Sequence, residues 1–233
     1  KNIDFICAPP SYYQRQLGSG AECYRRPFLT GTLHNKIWFH DNDLATFLFP
    51  KVMKKHNVTD ADIKRYMEAL AVTPTAQETI WLFERSAGFV LAEGIYESFF
   101  DLHGGYFDDP RLLDALGRIV QLIDRGKDVD RSSIAEILVV ADEVSLAYGP
   151  WQSDWPAKKG SNRINEGLLS HQIGFIKSGA PFDSVLLADI ELVNLQQYKI
   201  IMFLNTWHLN NQQRDFINKK IKNGLWHTSF AKR

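Results

Sequence analysis

Short apolar runs that end in polar clusters recur along this chain, and each is followed by a stretch with helical periodicity. Ile3-Asp4-Phe5-Ile6-Cys7-Ala8 runs into Pro9-Pro10, which can neither continue a ladder nor enter a helix interior, so a strand followed by a loop over 11–17 is expected. After Gly18-Ser19-Gly20, residues Ala21 to Leu29 are expected to be helical with an interruption at Pro27. Lys36 to Phe39 reads as the next strand, opening into His40-Asp41-Asn42-Asp43. Asn57 to Asp62 holds an N-cap with early acids for a helix through about Leu70, and Thr75 with Glu78 three residues on has the spacing of a capping box. The helix from Ala76 to Ala92 carries Ile80, Phe83, Ala87, Val90 and Leu91 on one stripe, and Gly94 stops it. Ile95 to Asp101 is a third strand, and Asp108-Asp109-Pro110 caps a helix from about Arg111 to Asp124.

Three strand-then-helix units in succession predict parallel strands joined by right-handed crossovers. Residues 125–133, with Gly126 and five charges, read as a linker, so two domains are expected, 1–130 and 131–233. In the second, strands are expected at Ile134 to Asp142, Ser184 to Ala188 and Lys199 to Leu204, with helices at Ile164 to Lys177 and Asn210 to Asn223. Leu225 to Phe230 reads as the start of another strand. An open doubly wound α/β sheet fits this series, preceded by a polar loop from Tyr148 to Arg163 that holds Trp151 and Trp155.

Composition narrows the function classes. The 233 residues are 45% hydrophobic and 23% charged, with Lys+Arg and Asp+Glu both at 27, so no global field draws the chain to nucleic acid or to an anionic membrane. No apolar run approaches the roughly 20 residues that span a bilayer. Cys7 and Cys23 have neither CxxC nor paired-ligand spacing and read as buried free thiols. No signal-peptide core stands at the start, and the compartment, cytoplasmic or periplasmic, is left open.

Parallel α/β folds place their sites at the carboxyl ends of strands. Asp41, Asp43, Asp101 and His103 stand at such positions, and two carboxylates facing a sugar ring are the parts that glycoside hydrolysis needs. The competing reading for each is an N-cap or a loop brace. Asp41-Asn42-Asp43 lacks the glycine and distal glutamate of an EF-hand loop, which disfavours a metal. Tyr12, Tyr13, Trp38, Phe39, Phe100, Tyr106 and Phe107 lie near the same edge and could stack on a pyranose, although most are expected in the core.

Ser11-Tyr12 with Arg15 and Leu17-Gly18, Leu33 to Trp38 with Asp41-Asn42-Asp43, and Phe100 to Pro110 resemble the last three strand units of a TIM-barrel glycoside hydrolase of family 42, the β-galactosidases. Ile137 to Asp142, Phe182 to Asp189, Tyr198 to Asn205 and Asn223-Gly224 are similar to the glutamine-amidotransferase-like, trimerisation domain that follows the barrel there. The resemblance implies a partial (β/α) barrel followed by a flavodoxin-like domain, and a retaining hydrolase acting on β-galactosides or related glycans without a cofactor. It also implies a carbohydrate partner, and a homo-oligomer formed through the second domain. Asp41 maps onto the nucleophile, normally Glu, and Ala45 stands where relatives often carry Arg. Trp38, Asp43, Asp101, His103 and Tyr12 are the expected sugar-binding residues. The acid/base glutamate of that family belongs to an earlier strand, so a truncated barrel is expected. A carbohydrate-binding or structural relative without turnover is the alternative. Amidotransferase chemistry would need a cysteine in the second half, where there is none.

Overall fold

The computed structural model describes residues 3–10, 15–18, 27–148 and 174–222. The expected helix start at Ala21, most of the loop after Tyr148, residues 164–173 of the next helix and the strand after Leu225 lie outside the described residues. The chain is mixed α/β with two open, three-stranded parallel sheets, and among the described residues the strands close no barrel. It divides into two compact units, Lys1–Arg25 with Ile37–Ser132, and Arg26–Lys36 with Ser133–Arg233.

In the first unit β1 (Phe5–Ala8), β2 (Ile37–Asn42) and β3 (Tyr96–Phe99) pair in that order. The middle strand runs three residues beyond the expected end at Phe39, because His40 pairs with Ala8 on one side and Asn42 with Phe99 on the other. Of the polar side chains there, Asp41 and Asn42 hydrogen-bond within the fold, as described below. Alternation splits the sheet cleanly. Ile6, Trp38, His40, Asn42, Glu97 and Phe99 share one face, and Phe5, Cys7, Ile37, Phe39, Asp41, Tyr96 and Ser98 share the other.

The first of these faces is covered. Its shield includes the helix Ala76–Glu93, whose Thr75 side chain accepts from Glu78 N and whose buried stripe runs through Ile80, Phe83, Ser86, Ala87 and Val90. The helix Pro110–Gly126, N-capped by Asp109, packs against it through Leu112, Ala115 and Ile119. Two smaller helices, Phe49–Lys55 and Asp60–Ala69, build a neighbouring cluster around Phe49, Val52, Met53 and Ile63. With Phe28–Leu33 in the second unit, the helices number α1 (Phe28–Leu33), α2 (Phe49–Lys55), α3 (Asp60–Ala69), α4 (Ala76–Glu93) and α5 (Pro110–Gly126) in chain order. Arg131 holds the ends of the long pair, donating from Nε to Leu91 O at 2.8 Å, from Nη1 to Lys127 O at 3.0 Å and from Nη2 to Gly126 O. A cation at two helix carboxyl ends satisfies orphan carbonyls and complements both dipoles.

The second unit is a parallel sheet in the order β5-β4-β6, from β4 (Ile137–Ala141), β5 (Phe182–Leu186) and β6 (Ile200–Phe203). The central strand is buried without alternation, Leu138, Val139 and Val140 all being 1% exposed or less, which is the signature of a parallel sheet covered on both faces. α1 begins directly after Pro27 and packs on β5. Thr30 Oγ1 accepts from Leu186 N at 2.8 Å and Ser184 Oγ from Phe28 N at 3.3 Å, while His34 Nε2 lies 2.8 Å from Asp189 Oδ1. The edge strand is thereby partly capped by side chains. Two helices stand at the carboxyl ends of β4 and β6, α6 (Glu143–Ala147) and α7 (Asn211–Phe216), the latter running on as π-helix through Ile217–Lys222.

Two glycines give opposite predictions. Gly94 ends α4 at φ +64°, and a Cβ there would lie 2.7 Å from Arg131 Cδ, so Gly94→Ala is expected to cost about 1–2 kcal/mol. Gly117 sits within α5 with open space around its missing Cβ, so Gly117→Ala is expected to stabilise by about 0.5–1 kcal/mol. Urea-unfolding midpoints of the two variants, moving in opposite directions from the parent, check both.

Candidate active site at the carboxyl edge of the first sheet

Among the expected carboxylates, Asp41 is the one that stands on a strand and not in a loop. It lies near the carboxyl end of the central strand, half-buried, on the face away from α4, beside Ser98 of β3. Ser98 Oγ donates to Asp41 Oδ1 at 3.0 Å. The same face carries Phe39 stacked on Tyr96, ring centroids 5.6 Å apart and 20° between planes, and Phe5 at 5.7 Å from Phe39. Phe5 and Tyr96 are 57% and 58% exposed, so a carboxylate and an aromatic row share an accessible surface.

The other acids are occupied. Asp43 forms an ion pair with Arg15 at 2.7 Å, both side chains largely buried, and Arg15 Nη2 also donates to Pro10 O at 3.0 Å. Arg85 of α4 donates to the Arg15 and Gln16 carbonyls, so the loops after β1 and β2 are tied together and to the helix. Asp101 Oδ2 accepts from Gly105 N at 2.6 Å and Tyr106 N at 3.1 Å. This is the loop-bracing role weighed for it in sequence, and Gly104 and Gly105, at φ +70° and +107°, permit the turn. His103 is exposed, its ring 5.6 Å from His56 and 5.8 Å from Tyr106, while its carbonyl accepts from His56 Nε2 at 3.2 Å.

Trp38, expected to stack on sugar, faces the opposite way. It is 7% exposed and shares the covered face with His40 and Asn42, because residues one apart in a strand point to opposite sides. Burial removes it from the surfaces able to meet a ligand. Tyr12 lies outside the described residues. Ala45 is buried in the cluster around Phe49 and Tyr106.

Beneath the edge lies a polar network that the apolar pattern does not reveal. Asn42 Nδ2 donates to Glu97 Oε1 at 2.9 Å and to Ser86 Oγ at 3.2 Å, Ser86 Oγ donates to the same Glu97 oxygen at 2.5 Å, and Asn42 Oδ1 accepts from Leu44 N. His40 packs edge-on against Phe89, centroids 5.4 Å apart. A carboxylate held by an amide and a hydroxyl at the strand–helix interface fixes the register of β2 and β3 just below Asp41. Thr46, whose Oγ1 donates to Tyr106 O, links the loops after β2 and β3. The only sequence signal for the network is Glu97 itself, a charge at a strand position.

No family model, curated protein or solved structure matches the chain. The chemistry must therefore be argued from the residues themselves. Among the described residues no three His, Cys, Asp or Glu gather as a metal would require, and no helix is long and apolar enough to cross a membrane.

Burial and the Asp101 turn together shift one titration. Burial foremost, and then the Asp101 charge, pushes the Tyr106 phenol up from its ordinary 10.0 to about 12. The folded chain keeps a proton that the unfolded chain releases, so this contribution is complete below pH 10 and is lost as pH rises from about 10 to about 12. Tyr106→Phe is expected to flatten the fall of the urea midpoint across that window. Asp101→Ala leaves two turn amides without their acceptor, an expected cost of about 1–3 kcal/mol. It should also lower the Tyr106 pKa, read by ultraviolet difference titration.

Proposed function

We propose that this chain is the carboxyl-terminal part of a retaining glycoside hydrolase of the family 42 type, acting on β-galactosides or related glycans, with Asp41 as the nucleophile. The observation that carries the reading is the placement of Asp41 at the carboxyl end of a central parallel strand, on the face turned away from α4. In a barrel built from such strand–helix units the helices lie outside and that face lines the interior, where side chains at the carboxyl ends act on substrate. The aromatic row of Phe5, Phe39 and Tyr96, exposed at Phe5 and Tyr96, supports it, as a face meant to be covered by further strand units. The order β5-β4-β6 in the second unit supports a flavodoxin-like domain of the kind that follows the barrel in that family, and self-association through it is part of the proposal.

In this reading the Asp41 carboxylate attacks the anomeric carbon while an acid elsewhere protonates the leaving oxygen, and water then releases the sugar with retention. The Ser98 hydroxyl holds one oxygen of Asp41 and orients the other. Asp43 and Asp101 are positioning residues for the loops around it.

A second reading has an observation of its own. Asp43 and Asp101 are taken up by Arg15 and by backbone amides, so the described edge offers one open carboxylate and not two. A carbohydrate-binding relative without turnover fits that arrangement. Hydrolysis of an aryl β-galactoside by the full gene product that carries this sequence separates the two. Asp41→Ala is expected to lower kcat by roughly a thousandfold or more with the fold intact, the scale on which loss of a reacting group shows. Unchanged turnover in Asp41→Ala would refute the nucleophile, and absence of any turnover in the parent would favour the binding relative.

A further inference from the structure

In the second unit the chain runs from the central strand β4 to β5 on one side and then to β6 on the other, so the direction of winding reverses between β4 and β6. In open parallel sheets ligands bind outside the carboxyl ends of the strands at such a reversal. The loops that leave β4 and β6 meet there. Asn205 Oδ1 accepts from Asp142 N at 2.8 Å and its amide donates to Asp142 O at 2.5 Å. Trp207 Nε1 donates to Ser145 O at 2.6 Å, and His208 N donates to Ser145 Oγ at 2.9 Å. On this clamp the His208 and Tyr148 rings stack at 3.7 Å with 13° between planes. Trp207 is 45% exposed and Tyr148 64%, and His208 is exposed as well.

We propose that Trp207, Tyr148 and His208 form a binding site for a neutral sugar, separate from the edge that carries Asp41. Three arguments select this ligand class. The helix starts that usually receive an anion at such a reversal are already filled. Asp142 accepts from Val144 N and Ser145 N at the start of α6, and Asn210 and Gln213 cap α7 reciprocally. Secondly, neither 142–148 nor 204–210 contains a lysine or arginine, whereas Asp142 and Glu143 are acids, so a phosphate would meet negative charge and no partner from these loops. Among the described residues, Arg214 of α7 donates its Nε to the Leu209 carbonyl at 3.0 Å. Thirdly, the rings are held before a ligand arrives. The indole is pinned through its N–H and the imidazole through a ring stack, so flat apolar faces stay exposed at little entropic cost on binding. A pyranose offers the matching surface, apolar C–H faces edged by hydroxyls for which the phenol and imidazole are donors and acceptors.

The choice of a galactose-based probe rests on the function proposed above, while the site itself does not. Binding of β-1,4-linked galactotetraose to the full chain, followed by saturation-transfer NMR and calorimetry, tests it. The expected result is saturable binding, weakened roughly tenfold or more by Trp207→Ala and by Tyr148→Ala, with inorganic phosphate and AMP failing to compete. Tyr148 is largely exposed, so its variant keeps the test valid if Trp207→Ala does not fold. Persistence of this pattern in a protein that hydrolyses nothing would still support the site. Absence of binding, unaltered binding in a folded Tyr148→Ala, or competition by phosphate or AMP would each overturn it.

Discussion

A parallel sheet is stable when both of its faces are buried, since each return of the chain lays a helix on it and its strands seldom stand in water. The two sheets of this chain meet that constraint differently. β4 is buried on both sides, with Leu138, Val139 and Val140 in continuous apolar sequence. β2 alternates instead, Trp38, His40 and Asn42 buried under helices and Ile37, Phe39 and Asp41 on the open side. The open side of the first sheet is aromatic toward its amino end and carries a carboxylate at its carboxyl end, and the proposed barrel interior rests on that arrangement.

The same asymmetry explains why charge on the strands is tolerated. Glu97 points toward α4, where a lone carboxylate would be costly, and the Asn42 amide and Ser86 hydroxyl both reach its Oε1. Asp41 points away from the helix and needs only the Ser98 hydroxyl. Neighbouring strand positions thus give one carboxylate to structure and one to the exposed face. Loop acids behave like Glu97: Asp43 neutralises Arg15, and Asp101 ties down the Gly104–Gly105 turn.

Local signals were the legible ones. Thr75 with Glu78, Asp109-Pro110, Thr59 with Asp62 and the αL Gly94 are decided within one turn of chain, and each sits where its residues placed it. The alternation of strands and helices likewise yielded parallel sheets. What sequence hid was satisfied at a distance. β2 runs on through His40 and Asn42 because Ala8, Phe99, Glu97 and Ser86 await them, and none of these is a neighbour in sequence. α1 packs on a strand some 150 residues later, its Thr30 hydroxyl 156 positions from the Leu186 amide it meets. The burial of Trp38 turned on strand phase, which was readable only once the true end of β2 was known. The aromatic pair Tyr148–His208 depends on a contact across 60 residues between two loops that carry no shared motif.

In the proposed function the open face of the first sheet is a reacting surface with Asp41 at its heart. Incubating the full gene product with an activated 2-deoxy-2-fluoro-β-galactoside, which slows release of a glycosyl-enzyme, and mapping the adduct by peptide mass spectrometry tests it most directly. The account predicts one fluorogalactosyl group on the peptide containing Asp41, and specifically on its carboxylate. An adduct on Glu97 or on any other carboxylate, in a protein that turns over the parent galactoside, would contradict it.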